Sequence, residues 1–183
     1  MKMLKLLSFF LLSGILFLCS ACSKDSEEAN PFSGCCEIEP TLIQNGNRSL
    51  YIPNAFTPNL DGTNDIFLVF TNNGFKEIRS FQIFDPFGNL LFETFNASPN
   101  NSSFGWNAKL ENGTFYEGFF TYNVELVDIN NLITRVSSAA CAIPCVDESI
   151  PVTNWNDCTY SLQHDGEGGF DTNLPSLENG TCY

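Results

Sequence analysis

Basic residues are scarce in this chain. Its 183 residues hold eight Lys and Arg against 21 Asp and Glu, a formal charge of −13. A nucleic-acid-binding surface neutralises phosphates with Lys and Arg, so this balance excludes that class of partner. It disfavours anionic headgroups for the same reason. Histidine is almost missing, since His164 stands alone. No second histidine can complete a proton relay, and no nucleophile is paired with this one. There is no Gly-rich loop of the kind that cradles phosphate. No apolar run reaches the about 20 residues that a transmembrane helix needs. No segment of helical length carries an apolar stripe, and no internal repeat is visible. The chain is therefore expected to be non-catalytic.

Aromatic residues are plentiful. Phe alone occurs 18 times and aromatics make up 14% of the chain. That is enough for one core of roughly 100 residues and too much for a disordered chain. Short strands are legible between residues 47 and 143. Leu50-Tyr51-Ile52 is a first strand ending at Pro53, and Ile66 to Phe70 has strand length. Phe81 and Ile83 share a face. Asp85-Pro86-Phe87-Gly88-Asn89 is a turn, because Pro sets φ and Gly permits positive φ. Leu90 to Phe95 is the return strand. Phe120, Tyr122, Val124 and Leu126 alternate with Thr121, Asn123 and Glu125, a period of two. Leu132 to Val136 follows a turn at Asp128 to Asn131. About seven such strands predict an all-β fold, an antiparallel sandwich.

The ends differ from this middle. Two lysines precede an apolar run from Leu6 to Leu18, then Cys19-Ser20-Ala21-Cys22. This is the n- and h-region pattern of an export signal over 1–21. The final four residues resemble the lipobox of bacterial lipoproteins, which implies a covalent lipid on Cys22 and a membrane anchor. Ser23-Lys24-Asp25-Ser26-Glu27-Glu28 resembles the lipoprotein export signal of Bacteroidetes, which implies the outer membrane, facing the exterior. The signal takes two of the eight cationic residues and none of the acidic ones, leaving a formal charge of −15. Residues 22–46 form an acidic arm, and residues 144–183 an acidic, loop-rich tail.

Six cysteines remain beyond Cys19 and Cys22: Cys35, Cys36, Cys141, Cys145, Cys158 and Cys182. An even number in an exported chain indicates disulfides, with four thiolates around zinc as the competitor. Cys35 and Cys36 are expected to reach the Cys141–Cys145 pair and tie the arm to the sandwich. Cys158 with Cys182 would then close the tail, which is worth about 3 kcal/mol in the chain-entropy account.

The stretch Tyr51-Ile52-Pro53-Asn54-Ala55-Phe56-Thr57-Pro58-Asn59-Leu60-Asp61-Gly62-Thr63-Asn64-Asp65-Ile66-Phe67 resembles the opening of the gliding motility-associated C-terminal domain of Bacteroidetes. The resemblance continues through Phe81 to Phe95, Gly105-Trp106 and Gly118 to Leu126. Leu60 stands where the family has Gly. The resemblance implies an Ig-like β-sandwich and, in many members, a sorting signal for type IX secretion.

The same stretch offers oxygens from Asn59, Asp61, Asn64 and Asp65 that could hold Ca²⁺. Aligning Gly62 with the sixth position of an EF-hand loop leaves the first carboxylate and the last Glu missing. The competing expectation is a turn whose side chains cap backbone N–H groups. His164 to Asp171 is expected to be a solvated loop, and Trp106, Phe104 and Phe115 to be core packing. Together these expectations describe a lipid-anchored surface protein, a non-catalytic interaction module. It would be an accessory subunit of an outer-membrane secretion or gliding complex, or an adhesion factor contacting extracellular material. The alternative is a type IX secretion sorting or carrier domain. A hydrolase using Asp61 and Asp65 ranks last.

Overall fold

The computed structural model describes residues 30–144 and 155–178. The signal segment, Cys22, Cys145 and Cys182 lie outside the described residues. Among these residues there are two sheets. Strands β1 (Thr41–Asn45), β2 (Arg48–Ile52) and β4 (Phe70–Thr71) form the smaller one. The larger has the order β3 (Ala55–Phe56), β8 (Ile133–Ala142), β7 (Gly118–Asp128), β5 (Phe75–Phe84) and β6 (Leu90–Ala97).

The alternation in β7 does what its period requires. Phe120, Tyr122, Val124 and Leu126 are buried, while Thr121 and Asn123 face water. Both sheets close on one core, with Leu50 and Ile52 from the smaller and Phe81, Phe120 and Tyr122 from the larger. Phe67 and Trp106 pack edge-on against Phe120, with ring centroids 4.9 and 5.0 Å away. Such pairs add about 0.5–1.5 kcal/mol each beyond their buried area. Trp106 is therefore core, and Phe104 and Phe115 pack partly buried against it.

Two turns are locked by aspartates. The Asp85 carboxylate accepts from the Phe87 N–H (2.9 Å), the Asn89 N–H (2.8 Å) and Asn89 Nδ2 (2.7 Å). These bonds, the Asn89 side chain first, hold its pKa below the usual carboxylate range. Between β7 and β8, buried Asp128 accepts from the N–H groups of Asn130 and Leu132, each at 2.8 Å, and meets Arg48 at 3.4 Å.

Three expectations need correction. The pairing is not wholly antiparallel, because β3 runs parallel to β8, with Ala55 beside Cys141 and Phe56 beside Ala142. The cause is Pro53, which has no N–H and ends β2. The chain then changes sheet without reversing direction, so both sheets stay open and the larger one is mixed. Ile66 to Phe70 is not a continuous strand: Phe67 bridges Trp106, and pairing with β2 starts only at Phe70. The arm also contributes a strand, β1, which pairs with β2 along its whole length. The third correction concerns the tail and the cysteines.

Candidate functional site

The Pro53–Asp65 stretch is where arm, sheets and tail meet, and Asn54 is its centre. Asn54 is 2% exposed. Its Nδ2 donates to the Ile38 carbonyl in the arm (2.9 Å) and to the Asp157 carbonyl in the tail (3.0 Å). Its Oδ1 accepts from the Thr159 N–H (2.6 Å) and hydroxyl (3.0 Å). One primary amide thus uses both faces to tie three segments together. The backbone repeats the pattern, with Ala55 N–H donating to Thr159 O and Cys141 N–H to Asn54 O.

Beyond Phe56 the chain turns through a loop that its own side chains hold. Asp65 accepts from the Leu60 N–H (2.7 Å) and the Gly62 N–H (2.8 Å), one on each oxygen. Asp61 accepts from the Thr63 N–H (2.7 Å), and Asn59 from the Asp61 N–H (3.0 Å). The Asx-turn expectation describes this geometry. Of the four residues offered for calcium, Asn64 is turned elsewhere. It is buried, donates to Ser176 O and Glu178 Oε1, and accepts from the Leu162 N–H. Among the described residues, no three His, Cys, Asp or Glu side chains are grouped to hold a metal. Asp65 borders an open cleft with Ile66, Leu68, Phe70 and Leu162. Both of its oxygens are already engaged by the loop, so the pair of free carboxylates that hydrolysis needs is not assembled.

Leu60 takes φ +69° at the loop tip and is 75% exposed. Left-handed backbone costs a side chain-bearing residue about 1–2 kcal/mol. Glycine avoids that strain and loses more entropy on folding. Leu60→Gly is therefore expected to raise the unfolding free energy by about 0.5–1 kcal/mol in urea titration. A loss of stability would mean that the leucine side chain makes contacts that outweigh the strain.

The tail is docked, and of the 164–171 stretch expected to be a solvated loop only residues 165–167 are exposed. Tyr51 and Phe70 are register partners on the face of the small sheet away from the core. Phe170 stacks on Tyr51 at 5.4 Å and His164 on Phe70 at 4.5 Å. The Tyr51 hydroxyl donates to the Tyr160 carbonyl (2.9 Å). Gly168 comes so close that a Cβ there would lie 2.6 Å from the Ser49 carbonyl oxygen. Burial holds the His164 imidazole below its usual range, against an opposing pull from Asp165 and Glu167. The Gly168 N–H donates to His164 Nε2, which fits a neutral ring.

The tail finishes on the motif loop. Glu178 Oε1 accepts from the Thr57 hydroxyl (2.6 Å) and Asn64 Nδ2 (2.8 Å). Burial raises the pKa of Glu178 above the ordinary carboxylate range; the two hydrogen bonds oppose this, and nearby Asp61 and Asp65 reinforce it.

Disulfides fix both flanks. Cys35 is bonded to Cys141, and Cys36 to Cys158. The expected closure of the tail by Cys158 with Cys182 is thus replaced by a bond from the tail to the arm. Cys35 and Cys36 sit in a turn, with Cys36 at φ +64°, from which Cys35 is bonded to the sheet and Cys36 to the tail.

The geometry is a junction that knits arm, sheets and motif loop to the tail. Residues 50–135 match the family model described as CHU_C Type IX secretion signal domain. No curated protein and no solved structure shows a significant match to the chain. The match runs from Leu50 in β2 to Arg135 in β8, so the chain contains a Bacteroidetes-associated type IX secretion signal domain. Such sorting domains are non-catalytic, and they occur in outer-membrane and cell-surface proteins. The arm and the tail lie outside the matched stretch.

Proposed function

We propose that residues 50–135 are the address by which the type IX machinery exports this chain, and that lipid on Cys22 then holds it on the outer membrane. The observation that carries this reading is the family match, which spans the core of both sheets and the Asn54–Asp65 loop. The alternative in the sequence reading, a sorting or carrier domain, thereby stands ahead of an accessory subunit or adhesion factor. Strand addition is the mode of recognition that suits the fold. Among the described residues, β6 pairs only with β5, and it carries exposed Leu90 and Phe95. A free edge of this kind accepts an extended partner strand through main-chain hydrogen bonds.

The test is a pair of reporter fusions in a cell with a type IX system. One carries residues 1–183 and the other residues 1–46. Protease added to whole cells is expected to remove the reporter from the first and to spare it in the second, with Cys22 acylated in both. Equal shaving of the two reporters would remove the sorting reading.

A further inference from the structure

The direction of the strands gathers several exposed apolar residues at one end of the domain. β5 ends at Phe84, beside Thr121 of β7, and β7 begins three residues earlier at Gly118. The Asp85–Asn89 turn is therefore level with Gly118. β3 runs parallel to β8 toward Ala142, which pairs with Gly118, so the 57–65 loop leaves from the same end. Phe87, on the Asp85-locked turn, is 90% exposed. Leu90 begins β6 beside it at 48%, and Leu60 caps the motif loop at 75%. Leu177 is 65% exposed and precedes Glu178, which is bonded to that loop. Isolated exposed apolar residues need no explanation, but four at one end, on turns held by hydrogen bonds, do.

The arm leaves from this end too. Gly118 has φ +96°, and a Cβ there would lie 2.4 Å from the Pro31 carbonyl oxygen. Pro31 is therefore pressed against the start of β7. The nine residues from Cys22 to Asn30, eight steps along the chain, span at most about 28 Å when fully extended. β7 itself, from Gly118 to Asp128, is about 33 Å long. The opposite end, with exposed Ile129 and Leu132, lies a full β7 length from the point where the arm leaves.

We propose that the end bearing Leu60, Phe87, Leu90 and Leu177 is a membrane-facing rim that rests on the bilayer to which Cys22 anchors the chain. This rests on the lipid anchor in the preceding reading. Phe87 is the deepest point, because an aromatic ring suits the boundary between headgroups and acyl chains. Asp61, Asp65, Asp85 and Glu178 surround these residues, so the surface that fits is zwitterionic, since anionic lipid would repel them.

The test uses the acylated full chain in phosphatidylcholine–phosphatidylethanolamine vesicles whose acyl chains carry bromine. A new tryptophan is placed by Phe87→Trp in one variant and Leu132→Trp in the other. Both sites are exposed, so neither change disturbs the core. The brominated lipid is expected to quench the added fluorescence of F87W by about half or more and to leave that of L132W unchanged. Equal quenching at both sites, or none at Trp in F87W, would overturn the rim. Mass analysis of the N-terminal peptide tests the anchor separately. If Cys22 is unmodified, the anchor reading fails. The same two variants, with residues 23–28 replaced by six histidines and bound to nickel-chelating vesicles, then hold the arm at the same distance. Absence of F87W quenching there would overturn the rim on its own.

Discussion

Asn54→Ala is expected to lower the unfolding free energy by about 3 kcal/mol, the largest effect of any polar side chain in the motif stretch. The estimate follows from what the amide leaves behind. Thr159 is buried, and its N–H and hydroxyl both point at Asn54 Oδ1. Alanine would leave that N–H without an acceptor, at about 1–3 kcal/mol. The Ile38 and Asp157 carbonyls lie nearer to water and can be hydrated, so each loses about 0.5–1.5 kcal/mol. Asn54→Asp is the sharper variant. It keeps an acceptor for Thr159 but aims a charged oxygen at two carbonyls, and is expected to destabilise at least as much. The measurement is urea unfolding of both variants with Trp155 fluorescence, since Trp155 packs 6.1 Å from Tyr160 in the tail. A loss below about 1 kcal/mol for both variants would show that Asn54 is a spectator of the arm–tail junction.

How much of this was legible in the residues varies along the chain. The β5–β6 hairpin and β7 were, because alternation and a Pro–Phe–Gly turn specify them locally. The motif loop was legible as a self-capping turn, since Asn and Asp two or three residues from an N–H make that geometry without outside help. β1 was missed because Thr41 to Asn45 is half exposed and gets its order only from pairing with β2. The docking of the tail was missed for a related reason. Its segments carry no period and are ordered by contact with Tyr51 and Phe70. A signal was present all the same. Leu50-Tyr51-Ile52 has no polar position, and a strand that is apolar on both faces must be covered on both. The unusual density of Trp155, Tyr160 and Phe170 in a polar tail pointed to the cover. The partner of Cys36 could not be read, because the choice between Cys145 and Cys158 depends on where the tail returns.

The second large effect is expected from the disulfides, and their arrangement makes it non-additive. Cys35–Cys141 and Cys36–Cys158 span 106 and 122 residues of sequence. Closing a loop of roughly 100 residues contributes about 4.7 kcal/mol in the chain-entropy account. The second bond adds less. Its partners on one side are neighbours, Cys35 and Cys36, and on the other are 17 residues apart, Cys141 and Cys158. With either bond in place, the other closes only a loop of that shorter length, worth about 3 kcal/mol. Removing one pair as C35A/C141A, or the other as C36A/C158A, should therefore cost about 3 kcal/mol each. Removing all four should cost about 8 kcal/mol, more than the two singles together by roughly 2 kcal/mol. A loss of that size consumes most of the stability of an ordinary domain, so the quadruple variant is expected to unfold near physiological temperature. Urea unfolding of the parent and the two paired variants, with thermal unfolding of the quadruple, measures the set. Strict additivity would mean that arm and tail are ordered independently, and that the two bonds do not share one loop.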